Sequence, residues 1–162
     1  MKNNNNKCFF SSGGFSLIEL VVVIALLGIL GALASVQIAD ISSKMRVTSA
    51  MNQIISDIEL TKELALANST AMTITYDTNL DQYFIKNDGN LVTNFPGSHN
   101  GIISLSNSIF SNTDLTQTNL NGSNIITIDK WGNVLNEGTI VLNDNYIITI
   151  SKISGATLVA QP

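Results

Sequence analysis

One carboxylate, Glu19, stands near the start of an apolar segment that is otherwise uncharged. Residues 20–34 contain no charged or strongly polar side chain, and a short leader rich in Asn and carrying two lysines comes before the segment. An ionised carboxylate at the middle of a bilayer costs about 2.5–3.5 kcal/mol on insertion scales. Residues of this kind are usually kept for a purpose, so Glu19 is a candidate functional residue.

The apolar segment is long enough to cross a membrane. With residues 15–18 and the small residues up to 39 included, it has about 25 residues, which as a helix spans the hydrocarbon core. Lys2 and Lys7 precede it. Because positive charge stays on the cytoplasmic side, this predicts a cytoplasmic leader and an external C-terminus.

Two ordinary interpretations compete for this segment. A secretory signal peptide is cleaved after its apolar core, and Ala32-Leu33-Ala34 fits the small-x-small pattern. Against it, Glu19 stands where signal peptides are basic, and the helical pattern continues beyond Ala34 to Ile41. A plain membrane anchor is the other alternative, and it leaves Glu19 and the preceding Gly14-Phe15 unexplained.

The segment resembles the processing site and N-terminal helix of type IV pilins and type II secretion pseudopilins, through Gly14-Phe15-Ser16-Leu17-Ile18-Glu19-Leu20. The resemblance implies that a prepilin peptidase cuts between Gly14 and Phe15 and methylates the new amine of Phe15. It also implies that Glu19 pairs with the N-terminal amine of a neighbouring subunit, which offsets two charges that are costly alone in lipid. The corresponding domains are a cytoplasmic leader (1–14), a transmembrane and assembly helix (15–40) and a periplasmic domain (41–162).

Beyond residue 40 the pattern predicts a helix that continues to Asn68-Ser69. Its apolar stripe has spacings of three and four, while the charged residues 57, 59, 62 and 63 fall largely off it; the stripe comprises Val47, Ala50, Met51, Ile54, Ile58, Thr61 and Ala65. A period near two then predicts strands at 70–76, 82–86, 91–95, 102–110, 125–128, 139–142, 146–150 and 156–159, with a polar loop at 112–124. The expected fold is α+β, a long N-terminal helix packed on antiparallel β-sheets.

The C-terminal half is similar to the end of the GspH/FimT family of minor pseudopilins and pilins. The residues that carry this likeness are Asp129-Lys130-Trp131-Gly132-Asn133-Val134, Gly138-Thr139-Ile140-Val141-Leu142 and Gly155-Ala156-Thr157-Leu158-Val159. The family implies a structural subunit of a type II secretion pseudopilus, anchored in the bacterial inner membrane and packed against other pseudopilins or pilins. The alternative is a minor pilin of a type IV pilus, including a DNA-uptake pilus with a DNA-binding role.

Charge and cysteine content restrict the partners. From residue 47 onward ten acidic residues stand against four lysines and no arginine, a net charge of −6. Phosphate-binding surfaces need clustered Lys and Arg, so nucleic acid is an unfavourable partner. Cys8, the one cysteine, lies in the leader, and a processed chain would therefore have no disulfide.

No group of residues predicts an enzyme, a cofactor or a metal site. His99, the one histidine, lies in a loop without a second ligand, and no nucleophile motif is present. Asp77, Asp81 and Asp88 lack the pattern of an EF-hand loop, and turns account for them. Trp131, the single tryptophan, is a candidate partner contact, and capping one end of the core is an equally good interpretation.

Overall fold

The computed structural model describes residues 14–107, 109–152 and 157–160, and of residues 33–40 and 157–160 the backbone alone. The predicted leader, with Lys2, Lys7 and Cys8, lies outside this part except for Gly14, as do residues 108 and 153–156 within or beside two predicted strands. The chain divides into two compact units, Met1–Asp40 and Ile41–Pro162, and each is described by itself.

Helix α1 extends from Leu17 to Asn68, as the sequence predicts. Its end is a left-handed residue, Ser69 (φ 53°). The N–H of Thr70 donates to the carbonyl of Ala65 (3.2 Å) and that of Ser69 to the carbonyl of Leu66 (3.2 Å). This pair of bonds satisfies two of the last helical carbonyls, which explains why the helix stops here.

Within the described residues, nine strands follow the helix in two antiparallel sheets. Their bounds are β1 Met72–Asp77, β2 Gln82–Asn87, β3 Asn90–Leu91, β4 Ile102–Ser104, β5 Leu115–Leu120, β6 Ile125–Ile128, β7 Gly138–Leu142, β8 Tyr146–Ile150 and β9 Thr157–Ala160. The first sheet has the order β3-β2-β1-β6, with β4 also paired to β2, and the second has the order β5-β7-β8-β9. The prediction of an α+β fold with a helix packed on antiparallel sheets is confirmed.

Three local predictions are wrong. The polar stretch 112–124, expected to be a loop, contains strand β5, which pairs with β7 through a register shift between Leu115 and Gln117. The expected strand 102–110 is reduced to β4, and the expected strand 91–95 to β3. After β4 the side chain of Asn107 forms a turn instead: its Nδ2 donates to the carbonyl of Ser104 (3.0 Å), and its Oδ1 accepts the N–H of Ile109 (3.0 Å).

A single buried cluster joins the second part of α1 to both sheets. All seven residues of the predicted helical stripe are buried, each with at most 1% of its surface exposed. In β1 and β2, alternate residues point into this core, including Ile74 and Ile85. The period-3.6 and period-2 patterns therefore identify the faces that pack together.

Asn136 links the two sheets by hydrogen bonds to their backbones. Its Nδ2 donates to the carbonyls of Ile125 in β6 (2.6 Å) and Leu120 in β5 (3.3 Å), and its Oδ1 accepts the N–H of Thr127 (2.9 Å). Three bonds from one amide leave little freedom in the segment between β6 and β7. This is the segment that carries Trp131.

Candidate functional site

The N-terminal candidate residues lie at the start of α1. Gly14, Phe15 and Ser16 have no regular secondary structure, and the N–H of Leu20 donates to the carbonyl of Ser16 (3.2 Å). Ser16 is therefore the N-cap residue, and Glu19 falls at the third helical position. A carboxylate there is favoured by the positive end of the helix dipole. The capping-box spacing Ser-x-x-Glu in the sequence could have identified Ser16.

The bond between Gly14 and Phe15 is open to approach. A Cβ placed at Gly14 would meet no atom within 4 Å, and Phe15 is 83% exposed. Among the described residues, the peptide before α1 has no regular secondary structure and is exposed, and exposed irregular segments are where proteases usually cut. Gly14 and Phe15 thus lie just before α1, and Glu19 lies in its first turn.

The first part of α1 is apolar on every side and uncovered. The large apolar residues between positions 17 and 30 are all between 45% and 81% exposed: Leu17, Ile18, Leu20, Val21, Val22, Val23, Ile24, Leu26, Leu27, Ile29 and Leu30. A helix that is hydrophobic all round is normally buried, in a protein core or in lipid. Large exposed apolar surfaces of this kind mark sites of interaction with other proteins or with a membrane.

Among the described residues, no helical stretch has the length and hydrophobicity that a membrane span needs. The predicted single-pass location in the inner membrane therefore stays a prediction.

Residues 10–35 match the family model described as "Prokaryotic N-terminal methylation motif". The match covers the candidate residues Gly14, Phe15 and Glu19. It indicates a type IV pilin-like chain, a structural subunit that a prepilin peptidase processes and that assembles with other pilins. No significant match was found among curated proteins or solved structures. Because the match ends at residue 35, the likeness of the C-terminal half to the GspH/FimT family stays a prediction.

A second group of polar side chains lies between α1 and the first sheet, and sequence analysis missed it. Asp57 is 3% exposed, so its expected position off the buried stripe is wrong. Its carboxylate accepts the hydroxyl of Tyr83 (2.6 Å) and Nε2 of Gln53 (2.8 Å). Asp57 follows Ile54 by three residues and precedes Thr61 by four, a spacing that could have placed it on the stripe.

Burial dominates the electrostatics of this group. It raises the pKa of Asp57 above its ordinary value, and the hydrogen bonds from Tyr83 and Gln53 only partly oppose the rise. Burial, with the nearby charge of Asp57, also raises the pKa of Tyr83 and of Tyr76 well above the usual tyrosine range. Asp57 and Tyr83 are both buried, and the hydrogen bond between them ties the helix to the first sheet.

Tyr76 and Tyr83 face each other across β1 and β2, with ring centroids 5.4 Å apart. Their hydroxyls differ, because Tyr83 donates to Asp57 whereas the buried Tyr76 hydroxyl has no hydrogen-bond partner among the described residues. A buried hydroxyl without a partner costs free energy. The two hydroxyls therefore contribute differently to the free energy of folding, although the two tyrosines occupy paired positions on neighbouring strands.

The other acidic and histidine candidates occupy turns. Asp77 accepts the N–H of Asn79 (3.0 Å), and Asp81 accepts the N–H of Leu115 (2.8 Å), which ties the turn before β2 to the start of β5. Asp88 is the first residue of a two-residue turn with positive φ (47°), and His99 is exposed in a loop. Within the described part of the chain, no three His, Cys, Asp or Glu side chains are grouped to hold a metal.

Trp131 lies at the tip of the turn 129–133 between β6 and β7, and it is 67% exposed. Capping the core is thus the wrong interpretation. The carboxylate of Asp129 accepts the N–H groups of Trp131 (2.8 Å) and Asn133 (2.9 Å), and these bonds lower the pKa of Asp129. Lys130 places its Nζ 5.0 Å from the indole centroid. The turn presents a large aromatic ring with a positive charge beside it.

Proposed function

We propose that the chain is a minor pseudopilin, a structural subunit that is cut by prepilin peptidase and assembled into a type II secretion pseudopilus. The observation that carries the proposal is the exposed apolar helix that begins at Leu17, two residues after Phe15, and contains Glu19 in its first turn. The methylation motif over residues 10–35 supports it. Before assembly the chain would reside in the inner membrane as a single-pass protein with residues 41–162 in the periplasm.

In this proposal the N-terminal residues act as a substrate and as an assembly contact. The peptidase removes residues 1–14 and methylates the amine of Phe15. Glu19 then lies one helical turn from that terminus and, in the assembled fibre, pairs with the amine of a neighbouring subunit. Because both charges lose solvation in an apolar bundle, their pairing favours incorporation in the correct register.

A type IV pilus is the alternative machine, since the same processing and packing would serve there. A DNA-uptake role within it is the weaker candidate. The domain after residue 47 has a net charge of −6, and the lysines near its C-terminal half are Lys130 and Lys152. Counterion release from phosphates requires several clustered cations, which this charge distribution does not offer.

The testing experiment is the intact mass and N-terminal sequence of the chain from native membranes, compared among three variants. We expect the unchanged chain to begin at N-methylated Phe15 and the Gly14→Val chain to stay uncut, because a branched side chain obstructs the scissile bond. Gly13→Val is the matched control, one residue from the bond, and should still be cut. Glu19→Gln should be cut and methylated but be missing from sheared fibres.

Two results would contradict the proposal. A chain that begins at Met1 in all variants would make it a plain anchored protein, and a chain that begins after Ala34 would make it a secreted one. If Glu19→Gln chains enter fibres as well as unchanged chains do, the assembly role of Glu19 is wrong while processing stands.

A further inference from the structure

Arg46, the one arginine of the chain, bonds to neutral hydroxyls and to no carboxylate within the described residues. Its Nη1 donates to the hydroxyl of Ser111 (2.9 Å), and its Nη2 donates to the hydroxyl of Ser42 (3.2 Å). The side chain is half-buried. A guanidinium has more N–H donors than these two bonds use, and it is always charged. The positive charge of Arg46 therefore has no counter-charge in the described part of the unit.

These contacts hold the guanidinium where α1 meets a loop. Ser42 precedes Arg46 by one helical turn, and Ser111 lies in the loop between β4 and β5. The bond to Ser111 joins positions 65 apart in the chain, so it fixes the side chain in one place. Each hydroxyl that accepts an Arg46 bond keeps its own O–H donor. A planar fork with hydroxyl donors beside it suits the oxygens of a phosphate group.

An exposed apolar face lies on the same turns of the helix. Ile41 and Met45, one turn apart, are 58% and 65% exposed. Together with Lys44, Thr48 and Ser49 they line a shallow depression of about 320 Å³. Exposed apolar side chains with a lysine among them are typical of a helix that lies at a membrane surface.

Charge is unevenly distributed along the chain around this site. Asp40 stands against Lys44 and Arg46, which gives residues 40–46 a net charge of +1, whereas the chain from residue 47 onward has a net charge of −6. An anionic surface repels the acidic part of the unit and attracts this end of it. The electrostatic preference for an anionic ligand is therefore local to the start of the unit.

We propose that Arg46, Ser42 and Ser111 bind the phosphate of an anionic phospholipid, with Ile41 and Met45 against the apolar part of the same lipid. The inference rests on the proposed function in one respect, the membrane location of residues 15–40. Arg46 is five residues beyond Ile41, about 7.5 Å along a helix, and the headgroup layer on each side of a bilayer is roughly 5–8 Å thick. The inference goes beyond the proposed function because it gives the folded unit a ligand of its own.

The test is native mass spectrometry of the full chain in detergent, titrated with three probes. These are phosphatidylglycerol, phosphatidylcholine and inorganic phosphate. We expect the chain to retain one phosphatidylglycerol. Phosphatidylcholine should bind more weakly, because its choline cation lies beside the phosphate, and inorganic phosphate should not displace the lipid, because it has no apolar part.

Three variants locate the site. Arg46→Gln should weaken the retention of phosphatidylglycerol about tenfold or more, as for loss of hydrogen bonds to a charged group. Arg46→Lys keeps the charge and loses the planar fork, so it should lie between the two. The matched control is Lys62→Gln, which removes a cation from the same helix; because Lys62 is paired with Glu59 at 2.9 Å, lipid binding should not change.

A second measurement needs no variant and so does not depend on how well the variants fold. The unchanged chain is placed in vesicles of phosphatidylethanolamine and phosphatidylglycerol, the latter with a photoactivatable headgroup, and the adducts are mapped by mass spectrometry. We expect adducts within residues 41–49 and at Ser111. Labelling that is absent from both places overturns the inference.

The inference is also wrong if Arg46→Gln binds phosphatidylglycerol as tightly as the unchanged chain, if phosphatidylcholine binds equally well, or if inorganic phosphate displaces the lipid. The N-terminal mass of the same sample reports processing separately. A chain that begins at Phe15 and lacks the adducts refutes the lipid site and leaves the proposed function in place. A chain that begins at Met1 and still gives Arg46-dependent binding does the reverse.

Discussion

The same substitution should have opposite effects at Tyr76 and Tyr83, two buried tyrosines whose rings are 5.4 Å apart. In each case the change to phenylalanine removes one hydroxyl and keeps the ring in the core. At Tyr83 the hydroxyl is a 2.6 Å donor to the Asp57 carboxylate. At Tyr76 the hydroxyl is buried and has no partner among the described residues.

The magnitudes follow from the cost of buried polar groups. A hydrogen bond to a charged group contributes about 1.5–3 kcal/mol, so Tyr83→Phe should lower the free energy of unfolding by that amount. A buried polar group without a partner costs about 1–3 kcal/mol. Tyr76→Phe removes this cost and should therefore raise the free energy of unfolding, by an amount reduced by the small void that the lost hydroxyl leaves. The two variants should therefore differ by at least about 2 kcal/mol. For a domain of this size that corresponds to roughly 8 °C in Tm.

The assay is unfolding of the full chain in detergent, followed by near-ultraviolet circular dichroism of the packed tyrosines. Asp57→Asn provides the control background, in which Tyr83→Phe should cost less because the acceptor is no longer charged. If Tyr76→Phe is as destabilising as Tyr83→Phe, the Tyr76 hydroxyl has a partner in solution and the asymmetry is wrong.

Two other perturbations test the same core. Because burial raises the pKa of Asp57 above its ordinary 3.8, the folded chain binds that proton more tightly than the unfolded chain. Its contribution to stability is fully present below about 3.8 and is lost as pH rises through the folded pKa. In urea titrations at a series of pH values, Asp57→Asn should reduce this loss of stability with rising pH, whereas Glu63→Gln at an exposed position should not. If Asp57→Asn leaves the dependence of stability on pH unchanged, the assignment of the titrating group to Asp57 is wrong. A Cβ at Gly138 would overlap the carbonyl oxygen of Asn119, so Gly138→Ala should cost about 3 kcal/mol. At Gly122 a Cβ would meet no atom within 4 Å, and only the positive φ of 80° strains a side chain there. Gly122→Ala should therefore cost about 1 kcal/mol. Equal losses of stability for the two variants in thermal melts would refute the steric cause.

Periodic patterns predicted the faces of the helix and of the central strands. The stripe from Val47 to Ala65 is fully buried because spacings of three and four place its members on one side of α1. Alternation does the same for β1 and β2, whose inward residues are apolar or aromatic. The N-terminal motif was also predictable, since residue types at fixed positions define it independently of tertiary contacts.

The features that the sequence patterns do not predict, the buried Asp57 and strand β5, are polar in composition. Asp57 has the spacing of a core residue but the chemistry of a surface one, and only its pairing with Tyr83 makes burial tolerable. That pairing joins residues 26 apart in the chain, which no local pattern can display. Strand β5 was missed for a related reason, because only its end residues Leu115 and Leu120 are buried and the four between them are polar.

The distribution of apolar surface separates folding from assembly in this chain. The unit from Ile41 onward buries its own stripe and both sheets, and even its buried carboxylate has donors within the unit. The helix before it buries none of its large apolar side chains within the described residues. Substitutions at Asp57, Tyr76 or Tyr83 should therefore change unfolding and leave cleavage intact. Gly14→Val should block cleavage and Glu19→Gln should block assembly, and neither should change the unfolding of this unit. Sites that share no partners act independently, so the two sets of effects should add when they are combined.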